Sequence, residues 1–486
     1  MNVIKGYIHK FQNMPLQVKV SLIYTISSII QKCIVFITLP IFTRLMTETQ
    51  YGQYSYYQSW LSLIIIFSTL NLQYGSFDTA MIKFENDRSR YISSLQGLIT
   101  LITTLLFFIY IINPKFWNNL LDMPTILMVA MFIEILFSTV IAFWTNRARF
   151  EYKYKEMVFL TLAISLLSPL LGLFAVTHST EKGVARIVSN VFVYLSIGLF
   201  IYFYHLKKGK TLFDKNYWTY ALKFNIPLIP YYLSQMIFNQ SDRIMIKSMC
   251  NFDKVALYSM GNQLGLVLVF VLNAINSSFV PWMYNNLKKE NYKPLKKVSN
   301  YLVFLISCIL LSLILFGPEC IYILGGTKYA SAVWVVPPVA GSLLFLFLSQ
   351  LSINIMFFYE DTSALVKGSI LSAVINVVLN YLLIPIFGFI AAGYTTLFSY
   401  IIFWLSNLYY MNKTCSNKIK EYRMDLLFDF KILIKISSIF LIALIIFTIS
   451  YSYFILRFIL SCFIIIGAIK YRRKILSTFS IFKGND

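Results

Sequence analysis

The chain has 486 residues, of which 58% are hydrophobic and only 13% are charged. A soluble fold of this length carries roughly a quarter of charged residues, so this composition excludes a soluble protein. The net charge of +22 would suggest a nucleic-acid partner for a soluble protein, but its distribution here reports membrane topology instead. We therefore predict an all-α polytopic membrane protein that binds no nucleic acid.

Apolar stretches long enough to cross a bilayer recur along the whole chain. A helix rises about 1.5 Å per residue, so roughly 20 apolar residues span the hydrocarbon core. We count about fourteen such stretches, joined by short connections that leave no room for a soluble catalytic domain. They cover residues 20–42, 56–77, 92–112, 124–144, 157–177, 184–204, 221–239, 255–280, 299–319, 332–359, 364–387, 389–411, 432–453 and 455–471.

Basic residues are concentrated in alternate connections. Clusters of Lys and Arg lie within residues 147–155, 207–215, 288–297, 413–431 and 470–474, whereas most connections between them hold a single basic residue. Cytoplasmic loops of membrane proteins accumulate Lys and Arg. The asymmetry predicts a multi-pass protein with both termini in the cytoplasm.

A weak internal repeat relates spans one and seven. Residues 43–46 (TRLM) are followed by Tyr-Ser at 54–55, and residues 242–245 (DRIM) are followed by Tyr-Ser at 258–259. The two spans run in the same direction, so this offset fits two parallel six-helix lobes. We expect an N-lobe of helices 1–6 at residues 1–204, a C-lobe of helices 7–12 at residues 205–411, and helices 13 and 14 with a basic cytoplasmic tail at residues 412–486.

Cysteine and histidine residues show no metal-ligand pattern. The six cysteines are scattered without a CxxC pair, and His9, His178 and His205 all lie at predicted loop or terminal positions. Structural and catalytic metal sites need clustered ligands. We expect no metal, no cofactor and no catalytic residue.

Three short motifs have a distinctive composition. The first is LPIFTRL at 39–45 with YGQY at 51–54, the second is IPLIP at 226–230 with DRI at 242–244, and the third is FGFIAAG at 387–393. In this order and with this number of spans, the chain resembles the polysaccharide-unit (Wzx-type) flippases of the multidrug/oligosaccharidyl-lipid/polysaccharide exporter superfamily. The resemblance covers essentially the whole chain.

This resemblance implies a fold and a function. Members of the family pass an undecaprenyl-pyrophosphate-linked oligosaccharide across a bacterial cytoplasmic membrane, from the inner to the outer leaflet, for O-antigen or capsule assembly. Two six-helix lobes around a central cavity would do so by alternating access. The implied partners are the lipid-linked oligosaccharide, the bilayer and a polysaccharide polymerase, and a transporter of this kind is not an enzyme.

Polar side chains follow one face of three spans in the second lobe. They are Tyr231, Gln235, Asn239 and Asp242 on span seven, Tyr258, Asn262, Asn273 and Asn276 on span eight, and Asn376 and Asn380 on span eleven. The steps are three or four residues, apart from the eleven between Asn262 and Asn273, which make about three helical turns, so each set lies on one helix face. Amides are costly against lipid, so these faces predict either hydrogen bonds between helices or a hydrophilic cavity for sugar hydroxyls.

Two charged residues lie too deep in their spans to reach the headgroups. Lys32 in span one and Glu134 in span four are each about ten residues from either membrane surface. They can form a structural ion pair. Alternatively, Lys32 binds the pyrophosphate and Glu134 titrates in ion coupling. Arg186, in contrast, lies near a span end, where its side chain can reach the headgroups.

The predicted outer end of span seven carries positive charge. Arg243 follows Asp242 there, and Arg44 stands at the corresponding end of span one. Guanidinium groups bind phosphate oxygens, so these arginines can form a cationic rim for the substrate. In the other interpretation, Asp242 and Arg243 cap and anchor the helix at the interface.

Two prolines interrupt span seven near its predicted cytoplasmic end. Pro227 and Pro230 each remove a backbone donor, which predicts a kink or a break in the helix. The bend can serve as a gate or be a static feature of the packing.

Two other classes of function are compatible with parts of the pattern. A drug or small-cation exporter of the same superfamily would have several buried carboxylates and usually twelve spans, whereas only Glu134 lies deep here. A membrane glycosyltransferase or polymerase would place acidic or His residues in a large external loop, and the external connections here are short. Glycosyltransferase genes beside this gene would favour flipping, and a drug regulator would oppose it.

Overall fold

The computed structural model describes residues 16–420, 422–453 and 455–460, and over these ranges the chain is nearly all helical with no strand. The predicted all-α fold class is therefore confirmed. The helices are α1 (Leu16–Leu45), α2 (Glu48–Thr69), α3 (Ser76–Lys83), α4 (Arg88–Ile112), α5 (Pro114–Leu121), α6 (Thr125–Phe150), α7 (Tyr154–Thr177), α8 (Lys182–Gly209), α9 (Lys215–Asn225), α10 (Ile229–Met249), α11 (Phe252–Lys288), α12 (Lys293–Leu315), α13 (Gly317–Gly325), α14 (Val336–Phe358), α15 (Thr362–Phe387), α16 (Phe389–Lys418) and α17 (Phe430–Ile449).

Eleven helical stretches in the described part of the chain are long and apolar enough to cross a membrane. They correspond to predicted spans one, three to six and eight to thirteen. Spans two and seven correspond to α2 and α10, whose polar residues lower their hydropathy. Span fourteen lies largely outside the described residues. The protein is thus a multi-pass membrane protein, and its helices are consistent with the predicted count of about fourteen.

The start of α2 differs from the prediction and has a local cause. The helix begins at Glu48, not at residue 56, because Thr47 and Gln50 form a capping box. The backbone N–H of Gln50 donates to the Thr47 hydroxyl at 3.2 Å, and the backbone N–H of Thr47 donates to Gln50 Oε1 at 3.1 Å. Hydropathy misses this first part of the helix because it is polar, whereas the capping signature marks it.

The helices form two compact units, Met1–Leu233 and Ser234–Asp486. Helix α9 packs against α3 and α4 of unit 1, so this unit continues past residue 204, and the division into two six-helix lobes stays a prediction. In unit 2, α17 packs against α12 and α14 and is not a separate segment. Hydropathy alone indicates neither contact.

Aromatic side chains hold α9 in unit 1. The ring of Tyr217 contacts Phe84 and Tyr91 with centroids 4.9 and 5.3 Å apart. The Tyr217 hydroxyl also donates to Asp87, and Arg90 pairs with Asp214 at 3.1 Å. Aromatic pairs of this kind add about 0.5 to 1.5 kcal/mol each beyond simple burial. These contacts fix the segment that leads into α10.

The predicted break in span seven is confirmed. Residues Ile226–Leu228 form a 3-10 turn between α9 and α10, with Pro227 at the start of that turn. Because of this break, the next helix begins at Ile229. It runs to Met249, beyond the predicted end of span seven at residue 239. Asp242 and Arg243 therefore lie inside α10.

Unit 2 is organised around α14. Side chains on all sides of this helix are buried, including Leu344, Phe347 and Leu351, as expected for a helix that is hydrophobic all round. Helices α11, α12, α16 and α17 pack against it. Since α15 packs mainly against α16, this core also places the polar residues of α15 and α16.

Candidate functional site

A buried carboxylate lies at the centre of the polar residues of unit 2. Asp242 is 2% exposed and accepts hydrogen bonds from three other helices. Asn380 of α15 donates to Oδ1 at 2.7 Å, Thr396 of α16 donates to Oδ2 at 2.8 Å, and the Tyr258 hydroxyl of α11 donates to Oδ2 as well. Asp242 thus lies inside α10, which ends at Met249, and its position relative to the outer membrane surface stays a prediction.

The two asparagines of α15 extend this cluster. Asn376 and Asn380 are both fully buried. Asn376 Oδ1 accepts from Ser241 and from Asn380 Nδ2, each at 3.2 Å, and Asn376 Nδ2 donates to Thr396 Oγ1 at 3.1 Å. The hydroxyl of Thr395 donates to Asn380 Oδ1. For this face, the structure supports hydrogen bonding between helices.

The chemistry of the cluster is that of hard oxygen ligands. Carboxylate, amide and hydroxyl oxygens suit a proton or a hard cation and do not suit soft transition metals. Within the described ranges, no three His, Cys, Asp or Glu residues are grouped so that they could hold a metal ion. His205, which we expected at a helix end, is buried in α8 beside Gln96, with Nδ1 and Oε1 3.0 Å apart.

Arg243 is held by protein groups. Its Nε donates to Ser259 Oγ at 3.2 Å, and its Nη1 donates to the Asn239 carbonyl at 3.1 Å and to Gln240 Oε1 at 3.0 Å. The guanidinium carbon lies 5.8 Å from the centre of the Tyr258 ring. These contacts tie α10 to α11, while a contact with phosphate stays a prediction.

Of the other predicted residues of α10, Gln235 and Asn239 contact α15 or α16. Gln235 donates to Ser369 at 2.8 Å, and Asn239 Nδ2 donates to the Gln235 carbonyl at 2.7 Å. The Tyr400 hydroxyl is 3.5 Å from Asn239 Oδ1. Asn239 is nevertheless exposed, and Tyr231, at the start of α10, is half-buried.

The predicted polar face of α11 divides into two kinds of residue. Tyr258 is buried in the Asp242 cluster, and Asn276 Oδ1 accepts from Asn354 of α14 at 2.8 Å. Asn262 is half-buried and Asn273 is exposed. The first two therefore connect helices, and the last two have side-chain surface available to a ligand.

Unit 1 contains a second buried carboxylate, Glu134, which is 3% exposed. The Tyr57 hydroxyl of α2 donates to Oε2, and Asn190 Nδ2 of α8 donates to Oε1, both at 2.8 Å. Ser168 of α7 donates to Asn190 Oδ1 at 2.5 Å. Lys32, the predicted partner, lies on an exposed part of α1, as does Arg44. The hydrogen-bond donors to Glu134 are thus neutral groups.

Arg186 is buried beside this cluster. It is 9% exposed, its Nη1 donates to the Ser168 carbonyl at 3.0 Å, and its guanidinium carbon is 4.3 Å from the centre of the Phe42 ring. Gly172 makes this possible, because a Cβ there would lie 2.3 Å from Nη1. The expected reach toward the headgroups is wrong, since the cation is held by a carbonyl and a ring face.

The two carboxylates have matching surroundings. In each unit a tyrosine hydroxyl and an asparagine Nδ2 donate to the carboxylate, and a Ser or Thr hydroxyl donates to the Oδ1 of that asparagine. Sequence analysis found part of the unit 2 set but missed Tyr57, Asn190, Ser168, Thr395 and Thr396. An asparagine inside an apolar span was an available signal for Asn190, whereas hydroxyl residues are too common in spans to stand out.

The fold is that of a multi-pass α-helical membrane protein with a buried polar cluster in each unit, and comparisons with known proteins identify its family. A family model described as polysaccharide biosynthesis protein matches residues 18–287, which is more than half of the chain. The chain belongs to this family. It is also 27% identical to Lsg locus putative protein 1 of Haemophilus influenzae over 375 residues, or 74% of this chain and 89% of that protein.

Solved structures share the fold at low sequence identity. The inward closed lipid II flippase MurJ aligns with 92% of this chain and 100% of its own, with a TM-score of 0.65 and 15% identity. An inward-facing multidrug resistance transporter of the MATE family covers 80% of this chain and 96% of its own, with a TM-score of 0.60 and 9% identity. The resemblance to exporter-superfamily flippases is confirmed.

Proposed function

We propose that this protein is a flippase that moves a polyprenyl-pyrophosphate-linked oligosaccharide unit from the inner to the outer leaflet of a bacterial cytoplasmic membrane. The unit would then pass to a polysaccharide polymerase for O-antigen or capsule assembly. The observation that carries this proposal is membership of the polysaccharide biosynthesis family together with a fold shared with a lipid II flippase. Both termini would be cytoplasmic.

Exposed polar and basic side chains are the substrate contacts in this proposal. Lys32, Arg44 and Asn273 are exposed, and Arg243 is half-buried. Ammonium and guanidinium groups suit the pyrophosphate. The amides of Asn239, Asn262 and Asn273, with Tyr231, suit sugar hydroxyls, whereas Gln235, Tyr258, Asn376 and Asn380 act mainly by joining helices.

The buried carboxylates are the ion-coupling groups. Glu134 is removed from water, its two hydrogen-bond donors are neutral, and the buried Arg186 cation lies beside the cluster, so binding a proton or a monovalent cation would change the net charge of this part of the interior. Asp242 has the same surroundings in unit 2. Occupation of such a site changes the relative stability of two transporter states, which is what alternating access requires.

A drug or small-cation exporter is the second candidate, and the fold shared with a multidrug resistance transporter favours it. The two candidates differ in what crosses the membrane. They are therefore separated by giving both kinds of substrate to the same reconstituted protein.

The test uses the full chain in proteoliposomes loaded with a fluorescent polyprenyl-pyrophosphate oligosaccharide. We expect protein-dependent exposure of the sugar to an external lectin, a loss of at least tenfold in Lys32→Ala and partial retention in Lys32→Arg. Translocation no faster than in protein-free vesicles would contradict flipping. Protein-dependent export of a cationic dye by the same vesicles would then select the exporter.

A further inference from the structure

A groove between α1 and α7 follows nearly the whole length of α7. Its first part is a cavity of about 780 Å³ lined by residues from Tyr154 to Leu170 and by Ile23 of α1. Its second part is a cavity of about 680 Å³ that again includes Leu170 and ends between Leu45 and Thr177. The first cavity lies beside the beginning of α1 and the second beside its end, so the two helices run in the same direction, and the two cavities meet at Leu170.

The side chains along this groove are apolar and open to the surroundings of unit 1. Phe159 is 77% exposed and Phe174 is 64% exposed, and Leu166 and Leu170 between them are exposed as well. In a membrane protein these residues meet hydrocarbon. The groove therefore fits a lipid chain, and its charges and length identify which kind.

Each end of the groove carries cations. Arg44 lines the second part, and Lys155 lines the first. Lys155 and Phe159 also line an adjoining cavity of about 830 Å³, whose other charged residues are Arg147, Lys153, Glu151 and Glu156. Glu151 pairs with Arg147 and Lys153, so the lining carries three cations against two carboxylates. The positive-inside distribution assigns this end to the cytoplasm.

Arg147 has capacity for an anionic ligand. Its side chain is 10% exposed, and it bonds Glu151 at 2.5 Å and Ser89 at 2.9 Å. Its Nη1, however, has no hydrogen-bond partner within the described ranges. A buried donor of this kind is a costly feature that a phosphate oxygen in the adjoining cavity would relieve.

The length of the groove selects the lipid. Residues 154–170 of α7 extend over about 24 Å at 1.5 Å per residue, whereas one leaflet of hydrocarbon is only about 15 Å deep. A phospholipid chain ends near the midplane of the bilayer. A chain that fills the groove crosses the midplane, as a long polyprenyl chain can.

We propose that this groove binds the polyprenyl tail of the lipid-linked substrate, with the pyrophosphate in the cavity of Arg147, Lys153 and Lys155 before transport and near Arg44 after it. The inference rests on the proposed flippase function and adds a path for the tail. Because the groove is apolar throughout and has cations at both ends, the tail stays in place while the head changes sides.

Photocrosslinking tests occupation of the groove. The photoreactive residue p-benzoylphenylalanine replaces Leu166 in the groove or, as a control, Phe203, an exposed residue of α8 outside it. With radiolabelled long-chain polyprenyl diphosphate in membranes, we expect at least fivefold more adduct at Leu166, unaffected by excess phosphatidylglycerol. Equal labelling at both positions, or loss of the adduct to phosphatidylglycerol, would overturn the proposal.

Two matched pairs of variants complete the test. Ala163→Trp fills the groove, whereas Leu199→Trp adds the same ring to an exposed site of α8. Lys155→Gln removes a cation that lines the groove, and we expect it to bind polyprenyl diphosphate about fivefold more weakly. Its control is Lys215→Gln, on the exposed surface of α9, which should leave this binding unchanged. Ala163→Trp should lower both crosslinking and transport at least fivefold at matched abundance.

The failure of this proposal is distinguishable from failure of the proposed function. If the wild type flips the lipid-linked oligosaccharide but Ala163→Trp does so equally well, the groove is not the tail path and the flippase function stands. If the wild type flips nothing while the adduct at Leu166 still exceeds that at Phe203, the groove binds polyprenyl lipid and the transport function fails.

Discussion

Glu134 and Asp242 are carboxylates in apolar surroundings, each with hydrogen-bond donors that carry no charge. A buried charge with only neutral donors has a high free energy, and a bound proton or cation lowers it. Arg186 is buried beside the Glu134 cluster and Arg243 follows Asp242, and both guanidinium groups donate hydrogen bonds to other residues. We propose that the two carboxylates exchange ions, and the alternative is a static role in packing.

Replacing Glu134 with Gln separates these roles. The amide has the same shape, can accept from Asn190 and can donate to the Tyr57 oxygen, so the helices keep their contacts. We expect normal abundance and a loss of at least tenfold in transport driven by an ion gradient. Glu181→Gln, at an exposed position just before α8, is the control, and full activity of Glu134→Gln would contradict the coupling role.

Arg243 tests the other residue-level interpretation. Lysine keeps the charge but cannot reproduce the fork that bonds Ser259, Gln240 and the Asn239 carbonyl. We expect Arg243→Lys to lower the free energy of unfolding by about 1 to 2 kcal/mol, measured by thermal unfolding in detergent. If stability is unchanged and transport alone is lost, the guanidinium acts on phosphate and not on the protein.

Helical periodicity predicted the residues of the Asp242 cluster better than those around Glu134. Asp242, Asn376 and Asn380 recur at helical steps, so their shared faces are visible in the sequence. Tyr57 and Arg186 act across helices, and Arg186 also needs the space that Gly172 leaves beside it. A pattern within one helix carries no information about which neighbour it meets.

At the scale of elements, the junction between α9 and the turn before α3 depends on one buried side chain. Asn225 is fully buried and bonds three backbone groups: its Nδ2 donates to the carbonyls of Leu70 at 3.4 Å and Asn71 at 3.2 Å, and its Oδ1 accepts from Ser76 N–H at 3.2 Å. Buried backbone groups without partners are costly. The end of α9 is therefore fixed before the 3-10 turn begins.

We expect Asn225→Ala to destabilise the protein by about 1 to 3 kcal/mol, because it leaves buried backbone groups without partners. Thermal unfolding in detergent measures the effect. Asn216→Ala, on the exposed face of the same helix, should change stability by less than about 0.5 kcal/mol. Equal stability of the two variants would show that the junction is held by other contacts.

The connection between α6 and α7 predicts a pH dependence. Glu151 bonds Arg147 at 2.5 Å and Lys153 at 2.6 Å. Burial alone would raise the pKa of the Glu151 carboxyl, but the hydrogen bonds and charges of Lys153 and Arg147 outweigh it and lower the pKa. Because the folded-state pKa is depressed, the stabilisation is complete above the unfolded value of about 4.3 and is lost as pH falls through the folded value.

Unfolding temperatures measured between neutral pH and roughly pH 3 check this. The wild type should become less stable at the acid end. At neutral pH, the free energy of unfolding of Glu151→Gln should be about 1 to 3 kcal/mol below that of the wild type, and it should decrease less as the pH falls. Parallel pH curves for the two proteins would mean that the ion pairs contribute nothing to folding.

At the scale of the whole molecule, hydropathy predicted the class and the order of the spans because each span is a local property of about 20 residues. It does not show where α9 packs, because the contacts of this helix with α3 and α4 are not a local property. It also misplaced the end of α10, since Asp242 and its neighbours lower the hydropathy of a helix whose polar groups are satisfied by other helices. In span seven, the low hydropathy of these polar residues therefore predicted the end of the helix too early.

The topology of the chain gives the last prediction. The clusters of Lys and Arg predict that residues 207, 289 and 420 lie on the cytoplasmic side. Because α1 and α7 run in the same direction, the chain between these two helices crosses the membrane an odd number of times. In a cysteine-free background, single cysteines at Lys207, Lys289 and Lys420 should resist a membrane-impermeant maleimide in intact cells and react after lysis. Cysteines at Lys115 and Lys328, in connections assigned to the outside, should react in intact cells. Labelling of position 207 from outside would reverse the orientation of unit 1, and labelling of 289 or 420 alone would change the number of crossings in unit 2.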